Sequence, residues 1–110
     1  MINFEYLEEN LAQHSGQFLR ADPFEHIVID NFCDANTLHE ALSALPDPED
    51  LGLSKSRDYI FAKNKFEKAG FDVLSSGLAQ LKAELLSPRF EAWISALTGQ
   101  QIFIDPEFHG

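Results

Sequence analysis

The chain has 110 residues, with 18 acidic against 8 basic side chains and a formal net charge of -10. This length allows one small domain, and a hydrophobic content of 45% is sufficient for a packed core. The negative charge argues against nucleic acid as a partner, because it would repel the phosphate backbone. A single cysteine, Cys33, excludes an internal disulfide, and no signal-peptide or membrane-spanning pattern is recognisable. We therefore expect a cytoplasmic protein with neither nucleic acid nor membrane as a partner.

Apolar residues at helical spacing predict two helices in the first half of the chain. The first covers residues 4–18 and ends before Pro23, which disfavours a helical conformation at the preceding residue. The second follows Asp34, a favourable N-cap residue, and ends at Pro46.

Two further helices are predicted in the second half. The leucines of residues 74–86 define the third. Ser87 and Pro88 provide the N-cap and first-turn proline of the fourth, and Gly99 suits the left-handed residue after its end. The predicted inner face of this fourth helix consists of Phe90, Trp93, Ile94 and Leu97.

Three short runs of β-branched and aromatic residues predict strands at 27–29, 59–62 and 102–104. Strands this short do not readily form an independent sheet, so we expect them to extend a sheet supplied elsewhere. The predicted fold class is therefore helix-rich α+β, with about four helices and three short strands.

The four histidines do not have the spacing of a known metal motif. His14 and His39 fall on predicted helices among polar neighbours, which favours a solvated surface position. His26 precedes a predicted strand, where it could cap or pack, and His109 lies just past another.

Four stretches of the chain form a recognisable series when they are taken in order. They are residues 23–32 (Pro-Phe-Glu-His-Ile-Val-Ile-Asp-Asn-Phe), 59–68 (Tyr-Ile-Phe-Ala-Lys-Asn-Lys-Phe-Glu-Lys), 87–90 (Ser-Pro-Arg-Phe) and 97–99 (Leu-Thr-Gly). Together they resemble one family, the bacterial prolyl-hydroxylase-like group of Fe(II)/2-oxoglutarate-dependent oxygenases. Residues 103–110 look like the lead-in to the glycine-rich segment of that family. The resemblance spans residues 23–110.

The resemblance implies a support segment of a double-stranded β-helix (jelly-roll) enzyme, with helices packed outside the barrel. Such enzymes hold iron through two histidines and one carboxylate, which leaves open positions for 2-oxoglutarate and dioxygen. The His-x-Asp pair follows the glycine-rich segment, so no catalytic, metal or cosubstrate residue is assigned in this chain, and His109 is not taken as a ligand. Residues 1–22 are expected to form an N-terminal helix, and residues 23–110 the N-terminal part of an oxygenase-like domain, truncated before the metal motif.

The complete enzyme is expected to need Fe(II) and 2-oxoglutarate. The expected partner of this segment is the C-terminal catalytic barrel of the same polypeptide. A homodimer is a further possibility. The region 51–68 is expected to border the substrate entrance, with Tyr59, Lys63 and Lys65 as its candidate residues. The basic run there would suit an anionic substrate or peptide, although lysines also protect a solvated strand edge from aggregation. The alternative function is a self-contained small acidic module that binds a partner protein through an exposed apolar face.

Overall fold

The computed structural model describes residues 1–47, 54–55, 66–67 and 70–107. Its elements are helices α1 (Phe4–Glu9), α2 (Leu11–Arg20), α3 (Ala35–Ser43), α4 (Ser76–Leu85) and α5 (Pro88–Thr98), a 3-10 helix (Phe71–Val73), and the two-residue strands β1 (Ser54–Lys55) and β2 (Phe66–Glu67). No helix within the described ranges is long and apolar enough to cross a membrane.

The first predicted helix is in fact two helices that meet at Asn10. The side-chain amide of Asn10 donates a hydrogen bond to the carbonyl of Tyr6 at 2.8 Å. Asparagine offers the backbone such local partners, which weakens its preference for a continuous helix. The Asn10 backbone, with φ -102° and ψ 11°, separates α1 from α2.

The other helix predictions are confirmed, together with their caps. Asp34 accepts a hydrogen bond from the Thr37 amide at 2.9 Å, as expected of an N-cap residue. Ser87 accepts one from the Phe90 amide at 3.2 Å, and Gly99 has the left-handed φ of 69° that suits a residue following a helix.

The core forms where α5 packs against α1 and α2. Leu7 is fully buried, and its neighbours in the buried cluster are Ile2, Phe4, Trp93 and Leu97. The indole N–H of Trp93 donates to the Leu7 carbonyl at 3.3 Å, so the ring is held by a polar contact as well as by packing. The core role predicted for Trp93 and Leu97 is confirmed.

Helices α3 and α4 approach each other at Gly77. A Cβ atom at this position would lie 2.6 Å from the Ala41 Cβ, which is closer than two carbon atoms can pack. The amino group of Met1 lies beside α4 and pairs with the Glu84 carboxylate at 3.0 Å. The N-terminal segment is thereby joined to α4.

The α+β fold class with three strands is wrong. Residues 27–29 and 102–104 are not strands, and residues 59–62 lie outside the described residues. Strand pairing in the described part of the chain is limited to β1 with β2, antiparallel, and an isolated bridge between Ile2 and Cys33. A strand is defined by hydrogen bonds to a neighbouring strand. Residues 27–29 and 102–104, each an Ile-x-Ile run, have no such neighbour among the described residues.

Candidate interaction site

The residues predicted at the substrate entrance, Tyr59, Lys63 and Lys65, lie outside the described residues, and so does His109. The other three histidines differ in burial. His14 is buried against Tyr6, with ring centroids 5.9 Å apart, whereas His26 and His39 are exposed. The surface position predicted for His39 is confirmed, and the one predicted for His14 is wrong.

His14 is buried because it shares one face of the first two helices with apolar residues. Leu7, Leu11, His14 and Phe18 follow one another at helical spacing. That spacing was visible in the sequence and is the signal that the prediction missed. The Nδ1 atom of His14 is buried and has no hydrogen-bond partner among the described residues.

The family resemblance implies iron ligands that follow the glycine-rich segment, so none of them is expected among the described residues. The described residues contain no group of three or more histidine, cysteine, aspartate or glutamate side chains that could hold a metal ion. Cys33 lies half-buried beside the core, and this burial raises the pKa of its thiol. No step through iron or 2-oxoglutarate is assigned to these residues.

A cleft of about 440 Å³ lies beside α1 and is lined by both polar and apolar side chains. Phe4, Tyr6, Glu84 and Arg89 contribute to its lining. The Arg89 guanidinium pairs with the Glu8 carboxylate, with Nε–O distances of 3.1 and 3.2 Å, and stacks over the Phe4 ring. The hydrogen bond from Arg89 lowers the pKa of Glu8. Because this cation is already paired, the cleft is a poor site for an anionic ligand.

The first of the two Ile-x-Ile runs, Ile27–Ile29, lies on the core without backbone partners. Ile27 and Ile29 pack against the buried cluster, while Val28 between them is 85% exposed. This alternation of inward and outward side chains is that of a strand. Within the described part of the chain, no hydrogen bond joins the backbone N–H or C=O groups of these three residues to another group.

The second run, residues 102–104, lies along α5 and bonds to two of its side chains. The Ser95 hydroxyl accepts a hydrogen bond from the Ile102 amide at 3.0 Å and donates one to the Ile102 carbonyl at 3.3 Å. The Glu91 carboxylate accepts one from the Ile104 amide at 3.0 Å. Phe103, the residue between them, is 75% exposed.

An apolar cavity of about 180 Å³ adjoins this run. Its lining is entirely hydrophobic and consists of Leu85, Leu86, Phe90 and Ile104. With no polar group to orient a ligand, the cavity suits packing better than chemistry.

Acidic side chains flank both runs. Glu25 and Asp30 stand on either side of the first, Asp105 and Glu107 follow the second, and all four are exposed. Neither lysine nor arginine occurs in residues 21–47 or 90–107. The charged residues that neighbour the two apolar runs in the sequence are therefore acidic.

The comparisons with known proteins gave no match among family models, curated proteins or solved structures.

Proposed function

We propose that this chain is a non-catalytic support segment that docks onto a larger protein unit through its exposed apolar runs. The observation that carries the proposal is the backbone of Ile27–Ile29. Its two isoleucines hold it on the helical core, yet no hydrogen bond within the described residues uses its amides and carbonyls. Unpaired backbone groups beside exposed apolar side chains are what a partner strand recognises.

The family resemblance suggests what the larger unit is. We take it to be the catalytic barrel of a prolyl-hydroxylase-like Fe(II)/2-oxoglutarate oxygenase, C-terminal to this segment in the same polypeptide. The barrel would supply the two histidines and the carboxylate that hold Fe(II). The helices α1 to α5 would support its outer wall, and the 110 residues alone would have no oxygenase activity. The absence of disulfides suits a cytoplasmic location.

The DNA that follows codon 110 tests this proposal directly. We expect the reading frame to continue into a glycine-rich stretch, a His-x-Asp pair and a later histidine. The product of that frame should convert 2-oxoglutarate to succinate with Fe(II), and the 110-residue chain should not. A stop codon at that point, or turnover by the 110-residue chain, would contradict the proposal.

The second candidate function is a self-contained acidic module that binds a partner protein. The acidic residues around both apolar runs favour it, because charge complementarity promotes association with a basic partner. Thermal unfolding followed by circular dichroism separates the two candidates. A cooperative transition of the 110-residue chain, with a stop codon after residue 110, would favour the module. Aggregation or a broad transition would favour a support segment separated from its barrel.

The substrate-entrance residues form a separate part of the oxygenase proposal. We expect Lys63→Ala and Lys65→Ala, made in the complete enzyme, to raise the KM for an anionic or peptide substrate. Tyr59→Ala is expected to act in the same direction through lost apolar contact. Arg20→Ala removes an exposed cation from α2 and serves as the control. An unchanged KM in the two lysine variants would remove these residues from the substrate entrance.

A further inference from the structure

The geometry of residues 102–104 points to a docking edge for an extended, basic-flanked apolar strand from a partner protein. This inference deepens the proposed docking function by naming one surface and the chemistry of its occupant. It does not depend on the partner being an oxygenase barrel.

One edge of the run is occupied by α5. Ile102 and Ile104 bond to Ser95 and Glu91, which are four residues apart on α5. Four helical residues rise about 6 Å and two extended residues about 6.6 Å, so the helix side chains match alternate backbone positions of the run. Helix α5 thus takes the place of a neighbouring strand on this side.

The opposite edge of the run has no hydrogen-bond partner among the described residues. In an extended chain, the N–H and C=O groups of successive residues point to opposite edges, so those of Phe103 face away from α5. No other described residue bonds to the backbone of Phe103. The exposed Phe103 ring stands beside these groups and can pack on a side chain of an added strand. A donor, an acceptor and an aromatic ring are therefore presented together.

The negative charge next to this edge favours a partner strand with basic residues. Asp105 and Glu107 are exposed next to the run, and residues 90–107 contain no cation. A second copy of this chain would bring the same acidic residues and a net charge of -10 to the contact, which opposes edge-to-edge dimerisation. A strand with alternating apolar residues and flanking lysines or arginines has the complementary charge.

Binding of a synthetic strand to the 110-residue chain tests the inference. The probe is a fluorescein-labelled peptide, Lys-Lys-Thr-Val-Thr-Val-Thr-Val-Lys-Lys, followed by fluorescence anisotropy. We expect saturable binding that weakens when salt rises from about 0.05 to about 0.5 M. A peptide with proline in place of the central threonine, and one with glutamates in place of the lysines, should each bind at least about fivefold more weakly.

Variants of the chain locate the binding edge. Phe103→Pro removes an N–H group that has no partner within the described residues, and Phe103→Lys removes the ring but keeps the backbone. Both should weaken binding at least about fivefold. The matched control is Val73→Lys, because Val73 is 74% exposed against 75% for Phe103 and the added charge is the same. Val73→Lys should leave the affinity within about twofold.

Four results would overturn the inference: no saturable binding, equal binding of the proline peptide, equal binding of the glutamate peptide, or equal losses from Phe103→Lys and Val73→Lys. A dimer in sedimentation equilibrium that Phe103→Lys dissociates would also overturn it, in favour of a second copy. Peptide binding together with a stop codon after residue 110 would reject the oxygenase proposal and keep the docking edge. A reading frame that encodes the barrel, without peptide binding, would reject the docking edge alone.

Discussion

Leu7 is the residue on which the core depends most directly. It is fully buried in the cluster with Trp93 and Leu97, and its carbonyl accepts the Trp93 indole N–H. Leu7→Ala would leave a cavity among side chains that cannot fully collapse. We expect the free energy of unfolding to fall by about 2–5 kcal/mol, measured by urea denaturation.

The control for Leu7 is Leu19, which lies on α2 and is 49% exposed. Leu19→Ala should change the free energy of unfolding by no more than about 0.5 kcal/mol. Equal losses from the two substitutions would show that the core is not organised around Leu7.

Asp34 gives a prediction for pH. The backbone amide of Thr37, and then its hydroxyl, donate hydrogen bonds that lower the pKa of Asp34. A carboxyl whose pKa is lower in the folded than in the unfolded chain stabilises the fold above its unfolded pKa. That contribution is lost as the pH falls through the folded pKa.

Asp34→Asn separates this charge effect from capping, because asparagine is also a good N-cap residue but does not titrate. The difference in unfolding free energy between the two proteins should be constant near neutral pH. Below about pH 4, the Asp34 protein should lose stability relative to the Asp34→Asn variant. Urea denaturation at a series of pH values measures it, and a difference independent of pH would show that the folded state does not lower the pKa.

At the scale of the elements, the α3–α4 contact depends on the absence of a side chain at Gly77. A Cβ atom there would lie 2.6 Å from the Ala41 Cβ and 3.2 Å from its Cα. Gly77→Ala must therefore separate the two helices, although alanine is the better helix former. We expect a loss of about 1–3 kcal/mol in the free energy of unfolding.

Gly16 in α2 is the matched control, since an alanine Cβ there would meet only the flexible end of the Arg20 side chain, at 3.1 Å. Gly16→Ala should increase the free energy of unfolding by about 0.5–1 kcal/mol through helix propensity. If Gly77→Ala were equally stabilising, the close approach of α3 and α4 would be disproved.

The helices were more predictable than the remaining structure because their signals are local. Asp34 and Ser87 act as caps through hydrogen bonds to residues three positions later, so the sequence specifies both helix starts. The break at Asn10 was missed because its side chain competes with the helix over a single turn, and the apolar pattern continues through it.

The strands could not be predicted in the same way because pairing is not local. The Ile27–Ile29 run has the composition and the alternating burial of a strand, yet its hydrogen bonds depend on a neighbour that its own residues cannot specify. The backbone of residues 102–104 bonds to the side chains of Ser95 and Glu91 in place of a neighbouring strand. The pattern of apolar residues that predicts a strand does not indicate such partners. The candidate site therefore became visible only with the fold.

At the scale of the whole molecule, a helical core carries two apolar runs in a chain of net charge -10. Each run has backbone groups without a hydrogen-bond partner among the described residues. Packing in the core stabilises the helices. The acidic residues next to the two runs disfavour contact between two copies of the chain, because like charges repel. The central claim of the proposed function is that these backbone groups dock a partner.

Amide hydrogen exchange of the 110-residue chain, followed by NMR, tests this claim most directly. We predict that the amides of Ile27, Val28, Ile29 and Phe103 exchange almost as fast as in an unfolded chain. The amides of Ile102 and Ile104, bonded to α5, should be protected. Strong protection of Val28 and Phe103 in the isolated chain would contradict the account, because it would mean that the docking groups are already paired.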